Sequence, residues 1–114
     1  GYLRTMSKQD KVLDRLSETL ASRRNADPET SYTAQLFAGG PDSILKKIGE
    51  ECAELIMAGK EGKRLNVVWE STDVIYHVLV LLAFYGLSIE DVSQEMRRRE
   101  GISGIDEKKA RSAK

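Results

Sequence analysis

Apolar residues recur at helical spacing along most of the chain. Val12, Leu13, Leu16 and Leu20 form the stripe of an amphipathic helix, which predicts a helix over Ser7 to Arg24 with Ser7 as N-cap. Asn25 to Thr30, with Asp27-Pro28, break the pattern, and Ser31 starts a short helix over Tyr32 to Phe37 that Gly39-Gly40 end. Pro41 and Asp42 suit the first turn of a longer helix reaching about Ala58. Gly59 and Gly62 flank a short charged turn, Asn66 caps a helix running to Tyr85, and Gly86 closes it. Ser88 then caps a helix that includes Val92 and Met96. Gly101 to Lys114 are polar and basic without an apolar stripe, and read as a loop or mobile tail with some helical content. No strand signal, repeat or low-complexity block competes, so the pattern predicts one all-α domain over residues 7–114. Gly1 to Thr5, ahead of Met6, read as an expression remnant and are set aside.

The helix after Gly62 departs from ordinary amphipathicity. From Val74 onward it is apolar nearly all round, which implies burial on most sides. Its one polar stripe is Glu70, Asp73 and His77, at i, i+3 and i+7. The preceding helix carries a second acidic pair, Glu51 and Glu54. With Ile44 at zero and about 100° added per residue, Ile48 falls at about 40°, Leu55 at about 20° and Glu51 at about 340°. Glu54 falls at about 280° and Glu50 at about 240°. Glu51 therefore lies on the apolar face, Glu54 at its edge and Glu50 outside it. Glu51 and Asp73 are equally far from Gly62, as are Glu54 and Glu70, so a chain that turns back there sets the pairs level. Facing acids on buried surfaces must be paired, protonated or bound to a cation.

An isolated acidic pair is ordinarily a solvated helix face. Two pairs, matched in height and turned toward apolar faces, point instead to a hard divalent metal. Carboxylate oxygens suit magnesium or manganese, and magnesium commonly joins a few acids to substrate phosphates. Phosphate-ester or anhydride chemistry follows, and it requires cations nearby. Lys47 lies one turn before Glu51, as a surface charge, an ion-pair partner or a phosphate contact. Arg97, Arg98, Arg99, Lys108, Lys109 and Arg111 are either solvated charges or holders of the remaining phosphates. His77 reads as a buried hydrogen-bonding residue beside the acids rather than a ligand.

Composition narrows the classes further. The 114 residues carry 18 basic and 18 acidic side chains, so no overall field argues for nucleic acid or an anionic membrane. The longest wholly apolar run, Val78 to Tyr85, is too short to span a bilayer, and no secretory pattern opens the chain. A soluble cytoplasmic protein is expected. One cysteine, Cys52, and one histidine exclude an intramolecular disulfide and a Cys/His zinc cage within the chain. Cys52 reads as a small core residue.

The segments Ser31-Tyr32-Thr33, Leu36-Phe37, Gly40 and Lys47-Ile48-Gly49-Glu50-Glu51-Cys52-Ala53-Glu54 resemble the phosphoribosyl-ATP pyrophosphohydrolase family of histidine biosynthesis. Glu70-Ser71-Thr72-Asp73-Val74-Ile75-Tyr76-His77 continues the resemblance, as does the tail from Arg99 to Arg111. The acids alone resemble the broader all-α nucleotide pyrophosphohydrolases, including MazG-like and dimeric dUTPase-type enzymes; Tyr76-His77 and the tail favour the histidine-pathway family. Cys52 and Ser71-Thr72 stand where alanine is common. The resemblance implies magnesium-dependent hydrolysis of phosphoribosyl-ATP to phosphoribosyl-AMP and pyrophosphate. It implies Glu51, Glu54, Glu70 and Asp73 as metal ligands. It also implies Glu50 as a further ligand or the group that orients water, beside Glu51, and Lys47, Arg99, Lys108 and Arg111 as phosphate contacts. It further implies a helical homodimer whose bundles are completed by two subunits. A MazG-like hydrolase of free nucleoside triphosphates is the nearest alternative. A non-catalytic dimerisation module with ion-paired acids is another, and a di-iron bundle is disfavoured because it needs Glu-x-x-His pairs.

Overall fold

A computed structural model of the chain describes residues 11–112. The expectations for Gly1 to Thr5 and the Ser7 cap lie outside them. Among the described residues the structure is all-helical: α1 Val12–Ser22, α2 Tyr32–Ala38, α3 Gly40–Glu61, α4 Arg64–Phe84, α5 Ile89–Arg99 and α6 Gly104–Ser112. Helices α3 and α4 pack most extensively and form the central hairpin, with α1 against α4, α2 against α3, and α1 touching α5. The core is Leu20, Leu36, Phe37, Ile44, Leu79, Val80 and Ala83, so every helix from α1 to α4 contributes to it.

The hairpin turn is tighter than its glycines suggest. Gly59 stays helical and α3 runs on to Glu61, beyond the expected end near Ala58. Gly62 takes φ 74°, a left-handed conformation open to glycine at little cost, and its N–H donates to the Ala58 carbonyl at 3.0 Å. Helix α4 then starts at Arg64 with Lys63 as N-cap, which makes no side-chain cap bond. Asn66 is already inside the helix and is not the cap. By contrast Ser31 caps α2 by accepting from Ala34 N, and Ser88 with Asp91 builds a reciprocal capping box at α5. The buried Ser17 hydroxyl accepts from Ile89 N at 3.3 Å and ties α1 to the start of α5.

Further expectations change with the structure. The helical content expected in the tail extends over most of it, since Gly104–Ser112 form α6. It has no extensive packing on another helix, and ion pairs from Arg98 and Arg99 of α5 to Glu107 hold it instead of an apolar stripe. Helix α4 is not buried on most sides within one chain. Leu65, Val68, Trp69, Ile75 and Val78 remain exposed, alongside Ile56 and Met57 of α3. By length and composition α4 would suffice to cross a membrane, with a mean hydropathy of 1.5, but Glu70, Asp73 and His77 interrupt it and it packs on α3 and α1. Cys52 is only partly buried, so it is not a core residue.

Candidate functional site

The hairpin places its acids as the wheel and the spacing require. Glu51, Glu70 and Asp73 offer carboxylate oxygens that all lie within 4.8 Å of one another. Glu51 is buried at 9 % exposure, Glu70 is half-buried and Asp73 is open to solvent. Glu54 is at the edge of this trio and exposed. Hydrogen bonding with Glu51, then the Glu51 charge, would raise the Glu54 carboxyl above its ordinary value, with Glu70 adding to the effect. Glu70 Oε2 is buried without a hydrogen-bond partner among the described residues. Such an oxygen loses its hydration without replacement, and a metal ion is the partner that would restore it.

A cation borders the trio on the α3 side. Lys47 Nζ lies 3.5 Å from Glu51 Oε1 and 3.8 Å from Glu50 Oε1. Tyr32 first, then the two glutamates, raise the Lys47 ammonium above its usual range, so it stays charged. Glu50 is exposed and off the acid stripe, as its wheel position predicts.

Tyr32 and His77 form a chain the sequence did not single out. The Asp73 carbonyl can only accept, so His77 Nδ1 donates to it at 2.8 Å. In the neutral ring Nε2 then accepts the Tyr32 hydroxyl at 3.1 Å. His77 is 6 % exposed, the buried hydrogen-bonding residue expected there. The rings of Tyr32 and Tyr76 each meet it edge-on, and Tyr76 hydrogen-bonds Thr33. Desolvation of the phenol raises the Tyr32 pKa, against the opposing charge of Lys47. The available signal was the adjacency of two polar residues at the start of α2, but nothing in the sequence fixed which face they meet.

The tail cations do not join this site within one chain. Among the described residues no hydrogen bond or ion pair links Arg99, Lys108 or Arg111 to the acid trio. Arg99 pairs with Glu95 at 2.8 Å and Arg111 with Glu107 at 2.9 Å. Glu107 was also not singled out, although its i, i+4 spacing to Arg111 was available as a signal.

Fold and site together define an all-helical protein with an oxygen-only carboxylate centre suited to a divalent cation, beside a fixed lysine. The family model described as phosphoribosyl-ATP pyrophosphohydrolase matches residues 13–100. A phosphoribosyl-ATP pyrophosphatase of Dechloromonas aromatica is 84 % identical over 109 residues, covering 96 % of this chain and all of the relative. Proteins of the same name from Aromatoleum aromaticum and an Azoarcus species are 57 % and 56 % identical, covering 89 % and 88 % of this chain and 94 % of each relative. The chain belongs to the phosphoribosyl-ATP pyrophosphohydrolase family. The family model stops before the tail, whereas the Dechloromonas match takes in most of it.

Proposed function

We propose that this protein hydrolyses phosphoribosyl-ATP to phosphoribosyl-AMP and pyrophosphate, the second step of histidine biosynthesis. The observation that carries this is the 84 % identity to a named phosphoribosyl-ATP pyrophosphatase across that relative's full length. Glu51, Glu54, Glu70 and Asp73 would hold magnesium, with manganese as a substitute: their donors are all hard oxygens, and the orphaned Glu70 Oε2 fits a metal ligand. Magnesium bound there supplies Lewis-acid polarisation of phosphoryl oxygens and offsets charge in the transition state. Lys47 binds a phosphate at the α3 edge of the acids, competing with its pairs to Glu50 and Glu51. Glu50, exposed beside Lys47, accepts a hydrogen bond from the attacking water, and Glu51 works with it in holding that water. Arg99, Lys108 and Arg111 contact the remaining phosphates.

In this reading the working unit is a cytoplasmic homodimer of one-domain chains that uses neither nucleic acid nor membrane. The exposed apolar side chains of α3 and α4 support it, since a second copy would give Leu65, Val68, Trp69 and Ile75 the burial their helix lacks alone. It also offers a route for the tail of one chain to reach the acids of the other. Incubation with phosphoribosyl-ATP and magnesium is expected to release pyrophosphate and phosphoribosyl-AMP. Folded protein that leaves this substrate intact yet cleaves free nucleoside triphosphates would overturn the reading in favour of a MazG-like hydrolase.

A further inference from the structure

Three arginines converge on one buried carboxylate at the junction of α5 and α6. Glu107 Oε1 receives Arg98 Nη2 at 2.5 Å, Arg111 Nε at 2.9 Å and Arg99 Nε at 3.8 Å. Glu95 grips two of the same arginines: Arg98 with both its oxygens, at 2.9 and 2.7 Å, and Arg99 at 2.8 Å. The layering is uneven. The Glu107 side chain is 5 % exposed, whereas those of Arg98, Arg99 and Arg111 are 44, 43 and 55 % exposed. The carboxylate therefore lies beneath and the guanidinium groups form the surface above it.

Each guanidinium has five N–H donors, and Glu95 and Glu107 use only some of them. Three guanidinium charges against two carboxylates leave a positive surplus of one, while neighbouring Lys108 and Lys109 are balanced by Glu100 and Asp106. Without a central anion, three arginines so close would repel and their side chains would scatter. The hydrogen bond from Arg98 holds the Glu107 carboxyl below its usual range, so the anion is present at neutral pH. Helix α6 has no extensive apolar packing to fix it otherwise.

We propose that Glu107 is a positioning residue that clamps Arg98, Arg99 and Arg111 from beneath into one outward-facing subsite for the phosphate groups of the substrate. The inference rests on the reading of Arg99 and Arg111 as phosphate contacts, and it adds Arg98 as the strut between Glu95 and Glu107. The guanidinium forks suit phosphate oxygens, and holding them in advance spares the cost of ordering them on binding.

Steady-state kinetics with phosphoribosyl-ATP at saturating magnesium test this on Glu107→Gln, Glu107→Asp and the double variant Arg99→Ala with Arg111→Ala. Glu107→Gln is expected to raise KM about tenfold with kcat within about twofold, because charge-assisted bonds that only hold the arginines are lost. Glu107→Asp, which keeps the charge, should recover part of the KM, and helical circular dichroism should match the parent. An unchanged KM in Glu107→Gln, with a raised KM in the arginine double variant, overturns the positioning role alone. An unchanged KM in the double variant overturns the phosphate-contact reading and this proposal with it. Should Glu107→Gln lose helical signal, Arg98→Ala decides: a KM raised severalfold with helical signal intact supports the clamp, and a KM equal to the parent's overturns the proposal.

Discussion

Glu51 is the side chain on which two demands meet: it pairs with Lys47 on one side and raises the Glu54 carboxyl on the other, while sharing the 4.8 Å cluster with Glu70 and Asp73. Crowded like charges destabilise the metal-free fold, so removing one should cost function without costing structure. Asp73→Asn is expected to abolish magnesium-dependent turnover while thermal stability of the metal-free protein stays equal or rises. Substantial turnover in that variant would count against Asp73 as a ligand. The pH response separates the acids from the tail. Because the Glu54 carboxyl is raised above 4.5 in the fold, its contribution to stability is complete below 4.5 and is lost as pH rises through the raised value. Arg98 and Arg99 lower Glu95 to about 2, so its contribution is present above 4.5 and disappears only as pH falls toward 2. Thermal melts without metal should therefore decline as pH climbs above 4.5, with magnesium restoring the midpoint at neutral pH and Glu54→Gln flattening the decline. A midpoint that magnesium does not move at neutral pH would contradict this.

Among the elements, the turn at Gly62 matters most because it sets the two acidic pairs level. Any side chain there must adopt φ 74°, and Gly62→Ala should lower stability by about 1 kcal/mol in urea denaturation. No loss would mean that the turn relaxes to another conformation. Helices α1 to α5 were legible in the sequence because each carries an apolar stripe and several carry a side-chain cap, as Ser31 and Ser88 do. The errors have physical causes. Gly59 is tolerated inside α3 because helix propensity is a weak preference, and Asn66 is bypassed because Lys63 starts α4 without a cap. The extent of α6 is not marked by an apolar stripe because charge pairing to α5 holds it, and partner choice among so many charges is not written in spacing. Of the candidate site, the grouping of Glu51, Glu70 and Asp73, the edge position of Glu54, the Lys47 pair with Glu51 and the buried, hydrogen-bonded His77 were legible from periodicity and the turn. The Tyr32 contact and the Glu107 cluster depend on how distant elements dock.

The whole molecule exposes more apolar surface than a self-sufficient bundle should. Trp69 is 56 % exposed and Ile75 46 %, on the one helix among the described residues long and apolar enough to cross a membrane. If that face is where two copies meet, Trp69→Asp should shift the protein from dimer to monomer in sedimentation velocity and lower turnover with it. A parent protein that sediments as a monomer at working concentration would rule out the assembly.

All four candidate ligands come from the single hairpin of α3 and α4, joined by two residues. Everything needed to gather the acids is thus encoded in one uninterrupted stretch, whereas Tyr32 and the tail arginines arrive from outlying parts of the chain. Chemistry and recognition are separable in such a layout: a lineage could exchange its ends and acquire another phosphorylated substrate while inheriting the hairpin whole.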